Sequence, residues 1–386
     1  MGVYMDYQSA KPVDPLVVET MIPYFTEQFG NASSLHTPGD EALKVLEESR
    51  RSIAQFINAR SDEIIFTASA TESNNLALVG YAQRNKQKGD QVIISEIEHI
   101  SIHNLAKYLV KLGFSVCKVP VDSHGRISPQ KILDRITDKT ILISVGYANN
   151  EIGTIQPLKD IAALCKNNNI ALHTDAVAAE GLLSLDVESL GVDLMSLSAN
   201  DLYGPRGVGA LYVRKGTKLI PGIIGGGQEF GLRSGSENIP GIVGMAKAAD
   251  LMHKNMPDEV ARFKKYRDRI IQEVLQQVPR SYLNGHPKDR LSNNAHFRFD
   301  GIEGESILLG MKDKGIAVST GSACSSKTLE PSHTLIALGL LHEEAHGSLE
   351  ITVGRFTKDT DIGEVIKAIP DVVKRLRSLS PLYNEE

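Results

Sequence analysis

Cys324 is the most reactive side chain that the sequence offers. It lies in Gly321–Ser326 (GSACSS), where small neighbours leave a thiolate approachable. The other two cysteines read differently: Cys117 falls in the apolar alternation FSVCKV and Cys165 in the helical pattern IAALCKNNN, each suited to a small buried hydrophobe. Asp175 closes an apolar run in His173-Thr174-Asp175, and a carboxylate at the carboxyl end of a strand faces the crevice where α/β sheets bind ligands. In Thr67–Asn75 (TASATESNN) a strand gives way to small residues and then to a helix, with Thr71 as its expected cap and Glu72 in its first turn. Free backbone N–H groups there suit an anion, although the same pattern also serves as an ordinary helix cap. Glu98-His99 follows another strand, and Asn149-Asn150-Glu151-Ile152-Gly153 reads as a turn after a third. Finally, Ser196–Gly209 (SLSANDLYGPRGVG) joins two apolar runs through a Gly-Pro-Arg-Gly turn, a place where α/β proteins present side chains to a ligand.

The elements that would hold these groups follow a strand–helix rhythm. Strands are expected at Ile64–Thr67, Gln91–Ser95, Ser115–Val119, Thr140–Val145, Ala171–Thr174 and Leu194–Ser198. Helices are expected at Asp40–Ala59, Glu72–Gln87, Ile102–Lys111, Ser128–Ile136 and Leu158–Asn167. Such alternation predicts an α/β fold, a mostly parallel sheet covered by helices on both faces. Two helices, Gly241–Asn255 and Asp258–Val278, would then lead to a smaller α+β unit carrying strands Asn294–Phe299, Ile316–Ser319 and Ser348–Val353. The expected division is a large domain over 14–256 and a small one over 257–386, completed by 1–13 and carrying the Cys324 loop.

Composition is that of an ordinary globular protein. The formal net charge is −5 with both signs interspersed, which argues against a nucleic-acid footprint. No apolar run approaches the roughly 20 residues needed to span a bilayer. The first residues, MGVYMDYQSAKP, lack a charged-then-apolar signal pattern, so a cytoplasmic location without membrane contact is expected. Three cysteines in so long a chain make no disulfide framework.

Taken together, these stretches resemble the cysteine desulfurases, enzymes dependent on pyridoxal 5′-phosphate (PLP) that feed iron–sulfur cluster assembly. That family reads Ser-Gly/Ala-His-Lys-x-Tyr-Gly-Pro-Lys/Arg-Gly where this chain has Ser198 to Gly207, and its lysine carries PLP as a Schiff base. Here Asn200 stands at the His and Asp201 at the Lys. Thr67–Asn74 follows Thr-x-x-Ala-Thr-Glu-Ser-Asn, Asn149–Gly153 follows Asn-Asn-Glu-x-Gly, and Gly225–Glu229 with Arg233–Ser236 follows Gly-Gly-Gly-Gln-Glu and Arg-x-Gly-Thr. Gly-Ser-Ala-Cys324, Glu330-Pro331-Ser332-His333 and Gly354-Arg355-Phe356-Thr357 continue the likeness to nearly the end of the chain.

The resemblance implies PLP fold type I, with a seven-stranded-type sheet in the large domain, and it implies roles. Ala70 and Thr71 would contact the PLP phosphate, Ser198 would bind the cofactor, and Ser236 would reach the phosphate of the other subunit in a homodimer. His99 would stack on the ring, Asn150 would contact O3′ and substrate, and Asp175 would hold the pyridine nitrogen protonated so that the ring is an electron sink. Arg355 would clamp the carboxylate of L-cysteine, and Cys324 would take the sulfur as a persulfide and pass it to a scaffold protein. The departures bear on the cofactor's reactive end. A carboxylate cannot form an imine, so Asp201 at the catalytic position implies PLP held noncovalently, or absent. Ala178 replaces the family's Gln, Glu350 stands where an Arg is usual, and Lys11, in a segment where the family reads Asp-x-x-Ala-Thr-Thr-Pro, is a candidate stand-in amine. The alternative is an impaired desulfurase-like partner whose Cys324 accepts sulfur from elsewhere, or ligates a shared iron–sulfur cluster on the scaffold.

Overall fold

A computed structural model describes residues 2–320, 331–381 and 383. Among them, twelve strands form three sheets. After β1 (Val3–Tyr4), the strands β2 (Ile64–Thr67), β3 (Gln91–Ser95), β4 (Ser115–Val119), β5 (Thr140–Ser144), β6 (Ala171–Asp175), β7 (Leu194–Ser198) and β8 (Gly209–Val213) build one seven-stranded sheet. Its order is β2-β8-β7-β6-β5-β3-β4. The pairs β3–β4, β3–β5, β5–β6 and β6–β7 are parallel, while β8 runs antiparallel to both β2 and β7. The central strands are buried on both faces, which is why Val92–Ile94, Ile141–Ile143 and Leu194–Leu197 are almost continuously apolar rather than alternating.

The chain passes from β3 outward to β4 and then back to β5, on the other side of β3. This reversal opens a crevice at the carboxyl edge of the sheet. Because β8 is antiparallel to its two neighbours, β2 runs in the same sense as β7. The carboxyl ends of β2, β3, β5, β6 and β7 therefore share one edge.

A second core lies beside the first. β9 (Ser281–Leu283), β10 (Asn294–Phe299), β11 (Ile316–Ala317) and β12 (Ser348–Thr352) supply an antiparallel sheet, β12-β10-β9, and a parallel pair, β1–β11. Phe297, Phe299, Leu349 and Ile351 from this sheet pack with Ile362, Val365 and Ile369 of the helix Asp359–Leu379. The helix Ile239–Gln277 contributes to both cores, Met245 and Ala248 to the first and Phe263 and Ile270 to the second.

Some expected boundaries are corrected. The two helices expected over 241–278 are one 39-residue helix with Pro257 inside it. Residues 253–255 and 257 are exposed there, so the carbonyl that proline leaves unpaired can be hydrated. The helix expected over Glu72–Gln87 is Ala70–Asn75, a π-helical turn Leu76–Gly80 and Tyr81–Asn85. Its cap is Ser69 and not Thr71: the Ser69 hydroxyl accepts from Glu72 N–H at 3.2 Å. The expected Cys324 loop lies outside the described residues.

Candidate active site

A cavity of about 250 Å³ opens at the shared carboxyl edge. The segments following β2, β3, β5, β6 and β7 each supply part of its wall, and Gln8, Ser9, Ser319 and Glu350 close it from the side of the second core. Gln8 is held there by its N–H on Thr352 Oγ1 at 3.0 Å, and Glu350 N–H donates to the Ser319 carbonyl at 2.8 Å.

One end of the cavity suits a phosphate. Ala70 and Thr71 line it at the start of a helix, where N–H groups lack intrahelical partners. Gly209 allows this geometry. A Cβ there would come within 2.7 Å of the Ser69 carbonyl carbon and 3.0 Å of Ala70 N, so a side chain would push the turn off the sheet. Glu72 secures the turn, accepting from Ala68 N–H at 2.8 Å and from Arg233 Nε at 3.0 Å.

The middle is built around Asp175. Asn74 Nδ2 donates to Asp175 Oδ2 at 2.8 Å, and Val177 N–H donates to Oδ1 at 3.1 Å. Asn74 Nδ2 also reaches Ser101 Oγ at 3.1 Å. Ser101 N–H in turn donates to His99 Nδ1 at 3.2 Å, which leaves the proton of the neutral ring on Nε2. One hydrogen-bonded chain thus fixes both Asp175 and His99, and both line the cavity with Asn150. Glu98, beside them, is 3% exposed and accepts from Gly146 N–H at 2.9 Å. Burial, with the neighbouring Asp175 charge, pushes its carboxyl up to about 8 against the lowering effect of that hydrogen bond.

The other end is anionic. Asn200–Leu202 form a helical turn after β7, closed by Tyr203 in the left-handed region at φ 63°. Asp201 lines the cavity and is 5% exposed. Behind it Lys11 Nζ lies 3.4 Å from Asp201 Oδ1 and donates to the Asp201 carbonyl at 2.8 Å. The same ammonium sits 5.6 Å from the centre of the Tyr203 ring. Lys11 is not among the residues that line the cavity, so the expected stand-in amine is turned onto a carboxylate instead. Glu180, fully buried below, accepts from Ser198 N–H at 2.7 Å, and its carboxyl is raised well above the usual range by burial and then by Asp201. Ala178 lines the cavity with a bare methyl group.

Ala70, Thr71, His99, Asn150, Asp175 and Asp201 are therefore brought to one cavity. Three expected residues are not. Ser198 ends β7 with its backbone committed to Glu180, and it does not line the cavity. Ser236 is exposed and apart from it, its expected role belonging to a second subunit. Arg355 does not line the cavity either. Its Nε lies 2.7 Å from Glu259 Oε1, its NH1 lies 2.8 Å from Asp14 Oδ2, and its guanidinium sits 4.4 Å from the centre of the Tyr203 ring. Two carboxylates and an aromatic face hold it away from the cavity. Glu350, given no role by sequence reasoning, lines the cavity, as do Asn74 and Glu98. The signals were present: Glu350 stands at a position where an arginine is usual, and Asn74 follows directly on the anion-binding motif.

The residues present fit PLP as a noncovalent guest. There is a helix start for the phosphate, an imidazole beside the ring and a doubly hydrogen-bonded carboxylate for the pyridine nitrogen. No amine faces the cavity from the described residues, so none of them offers a covalent tether.

Comparison with known proteins places these observations in context. Residues 3–364 match the model of the aminotransferase class-V family. The chain is 55% identical over 380 residues to cysteine desulfurase IscS 1 of Archaeoglobus fulgidus, covering 98% of this chain and 99% of the relative. It is 47% identical over 386 residues to cysteine desulfurase IscS of Clostridium botulinum, covering 99% and 97%. A solved NifS-like protein superposes with a TM-score of 0.91 at 33% identity, covering 97% of this chain and all of that one.

Proposed function

As the chain belongs to the class-V aminotransferase family and, within it, to the cysteine desulfurases, we propose that it is a sulfur donor for iron–sulfur cluster assembly with Cys324 as its persulfide carrier. The observation that carries this reading is Asp175, fixed by Asn74 and Val177 at the carboxyl edge of the sheet and facing the cavity. PLP, when bound, supplies an electron sink for bond changes at the α-carbon of L-cysteine.

The chain's own residues divide the remaining work. Ala70 and Thr71 bind the phosphate, and Asp175 keeps a proton at the pyridine nitrogen. His99 limits ring tilt, its orientation set by Ser101, and Asn150 offers a hydrogen bond to the substrate. Cys324 receives the sulfur and presents it to a scaffold protein. The functional unit in this reading is a cytoplasmic homodimer in which Ser236 completes the partner's site. The exposed Leu16, Ile22, Phe25, Phe29 and Leu35 support self-association, since so many large apolar side chains on one short segment favour burial against a second surface. Nucleic acid and membrane are not expected partners. None of the described helices is long and apolar enough to cross a bilayer.

One observation favours a second reading. Lys11 is committed to Asp201, and no lysine or arginine among the described residues lines the cavity to meet a substrate carboxylate. Both features fit a chain that accepts sulfur on Cys324 from another donor, or that lends Cys324 as a ligand to a cluster on the scaffold.

The test is direct. The protein is incubated with PLP and sulfur-labelled L-cysteine, or with a persulfide donor whose outer, sulfane sulfur is labelled and whose thiolate is the leaving group, then alkylated and mapped by mass spectrometry. Label at Cys324 with cysteine alone supports the first reading, and label only with the external donor supports the second. Cys324→Ser should lower cluster yield on a scaffold protein supplied with iron. An unmodified Cys324 under both conditions, with unchanged cluster yield in the variant, would refute the proposal.

A further inference from the structure

The cavity wall is rich in acceptors and poor in cations. Among the described residues that line it there are four carboxylates, Glu98, Asp175, Asp201 and Glu350, and neither lysine nor arginine. Asp201 stands where the resemblance puts the amine that meets C4′ of the cofactor, and it is 5% exposed. Its one ion pair among the described residues, with Lys11 at 3.4 Å, comes from a residue outside the cavity wall. A carboxylate has about four lone-pair positions, so one ammonium does not saturate it.

We infer that the cavity is built for the amine form of the cofactor, pyridoxamine 5′-phosphate, in preference to the aldehyde form, with Asp201 as the residue that selects it. The inference rests on the cofactor site proposed above and goes with the second reading, in which Cys324 takes sulfur from another donor, since an amine at C4′ cannot condense with L-cysteine. The physical reason is donor–acceptor matching. An aldehyde at C4′ presents only a carbonyl oxygen to Asp201, so two acceptors face each other with no proton between them. An aminomethyl group presents an ammonium with three N–H donors, and a charge-assisted hydrogen bond in a nearly dry site is stronger than a neutral one. The group that a lysine would contribute from the protein thus arrives on the ligand, and the protein contributes the complementary carboxylate. Lys11 has a separate part. It pairs with Asp201 and orients it from behind, through the carboxylate at 3.4 Å and the carbonyl at 2.8 Å.

The experiment is equilibrium dialysis of the cofactor-free full chain against pyridoxamine 5′-phosphate, pyridoxal 5′-phosphate and pyridoxine 5′-phosphate, read by absorbance. The pyridoxine compound shares phosphate and ring and replaces the ammonium with a hydroxyl. Pyridoxamine phosphate should bind at least tenfold more tightly than either of the others. Asp201→Asn should bring it within about twofold of pyridoxine phosphate, and Lys11→Met/Asp201→Asn, which leaves no unpaired buried charge, serves if the single variant does not fold. Equal binding of all three to the unaltered chain overturns the selection while leaving the cofactor site standing. Binding of none overturns both. Tighter binding of pyridoxal phosphate, with Lys11 labelled after borohydride reduction, overturns the assignment of Lys11 to Asp201.

Discussion

Lys11 Nζ stands 3.4 Å from Asp201 Oδ1 and donates at 2.8 Å to the carbonyl oxygen of the same residue. A lysine from the N-terminal segment and an aspartate from the turn after β7 are thus joined across 190 positions of sequence, with both side chains only 7% exposed. The pair reverses what the sequence likeness leads one to expect, since the acid faces the cavity and the base stands behind it.

Breaking this pair from one side should be costly. Lys11→Met leaves the Asp201 carboxylate buried beside Glu180, and loss of one partner of a buried ion pair typically destabilises by about 3–5 kcal/mol. Lys11→Met/Asp201→Asn should recover most of that loss. Urea midpoints of the two variants against the unaltered chain check this, and equal destabilisation of both would show that the pair is not coupled.

Restoring an amine at position 201 should need more than one change. Asp201→Lys alone brings a second ammonium next to Lys11. Asp201→Lys with Lys11→Thr and Glu350→Arg removes that repulsion and places a cation on the cavity wall. Sulfide release from L-cysteine with PLP should rise by about 10²-fold or more in the triple variant, the scale of a recovered general acid–base group. A smaller rise is expected for Asp201→Lys alone.

Glu98 should give stability a pH slope. Its folded value of about 8 lies above the ordinary 4.5, because burial disfavours the charged form. Between those values the native state keeps a proton that the unfolded chain releases. The stabilisation is therefore fully present below about pH 4.5 and is lost as pH rises toward 8. Glu98→Gln keeps the shape and removes the titration. Its stability relative to the unaltered chain should improve by a few kcal/mol between pH 5 and 8, read from denaturant midpoints.

Arg355 should behave as a structural residue. Arg355→Ala would leave Glu259 and Asp14 facing each other and remove the guanidinium from Tyr203, at a cost of about 3 kcal/mol. Affinity of the folded variant for L-cysteine, and for the cofactor, should change by less than twofold. A large loss of ligand binding without loss of stability would restore the substrate-clamp role.

Much of the molecule was legible from local pattern. Apolar runs such as Val92–Ile94 and Ile141–Ile143, separated by helical periodicity, specify buried parallel strands whatever surrounds them, because a strand covered on both faces has no polar side to show. The residue types of the cavity wall were legible too, since Asp175, His99, Asn150, Ala70 and Thr71 each follow a strand, and the strand ends share one edge. What local pattern could not carry was which distant charges meet. The family resemblance implies that Arg355 is a substrate clamp, yet Asp14 and Glu259, far away in sequence, hold it. Glu350 points into the site only because β12 pairs with β10 in a register that sets it opposite His296. Lys11 reaches Asp201 only because the N-terminal segment crosses to the turn after β7. Backbone preference and hydrophobic period act over a few residues, so the sequence by itself determined the elements and the identity of the wall. Charge pairing acts through space, and which partner each of these charged groups meets was decided by the tertiary structure alone.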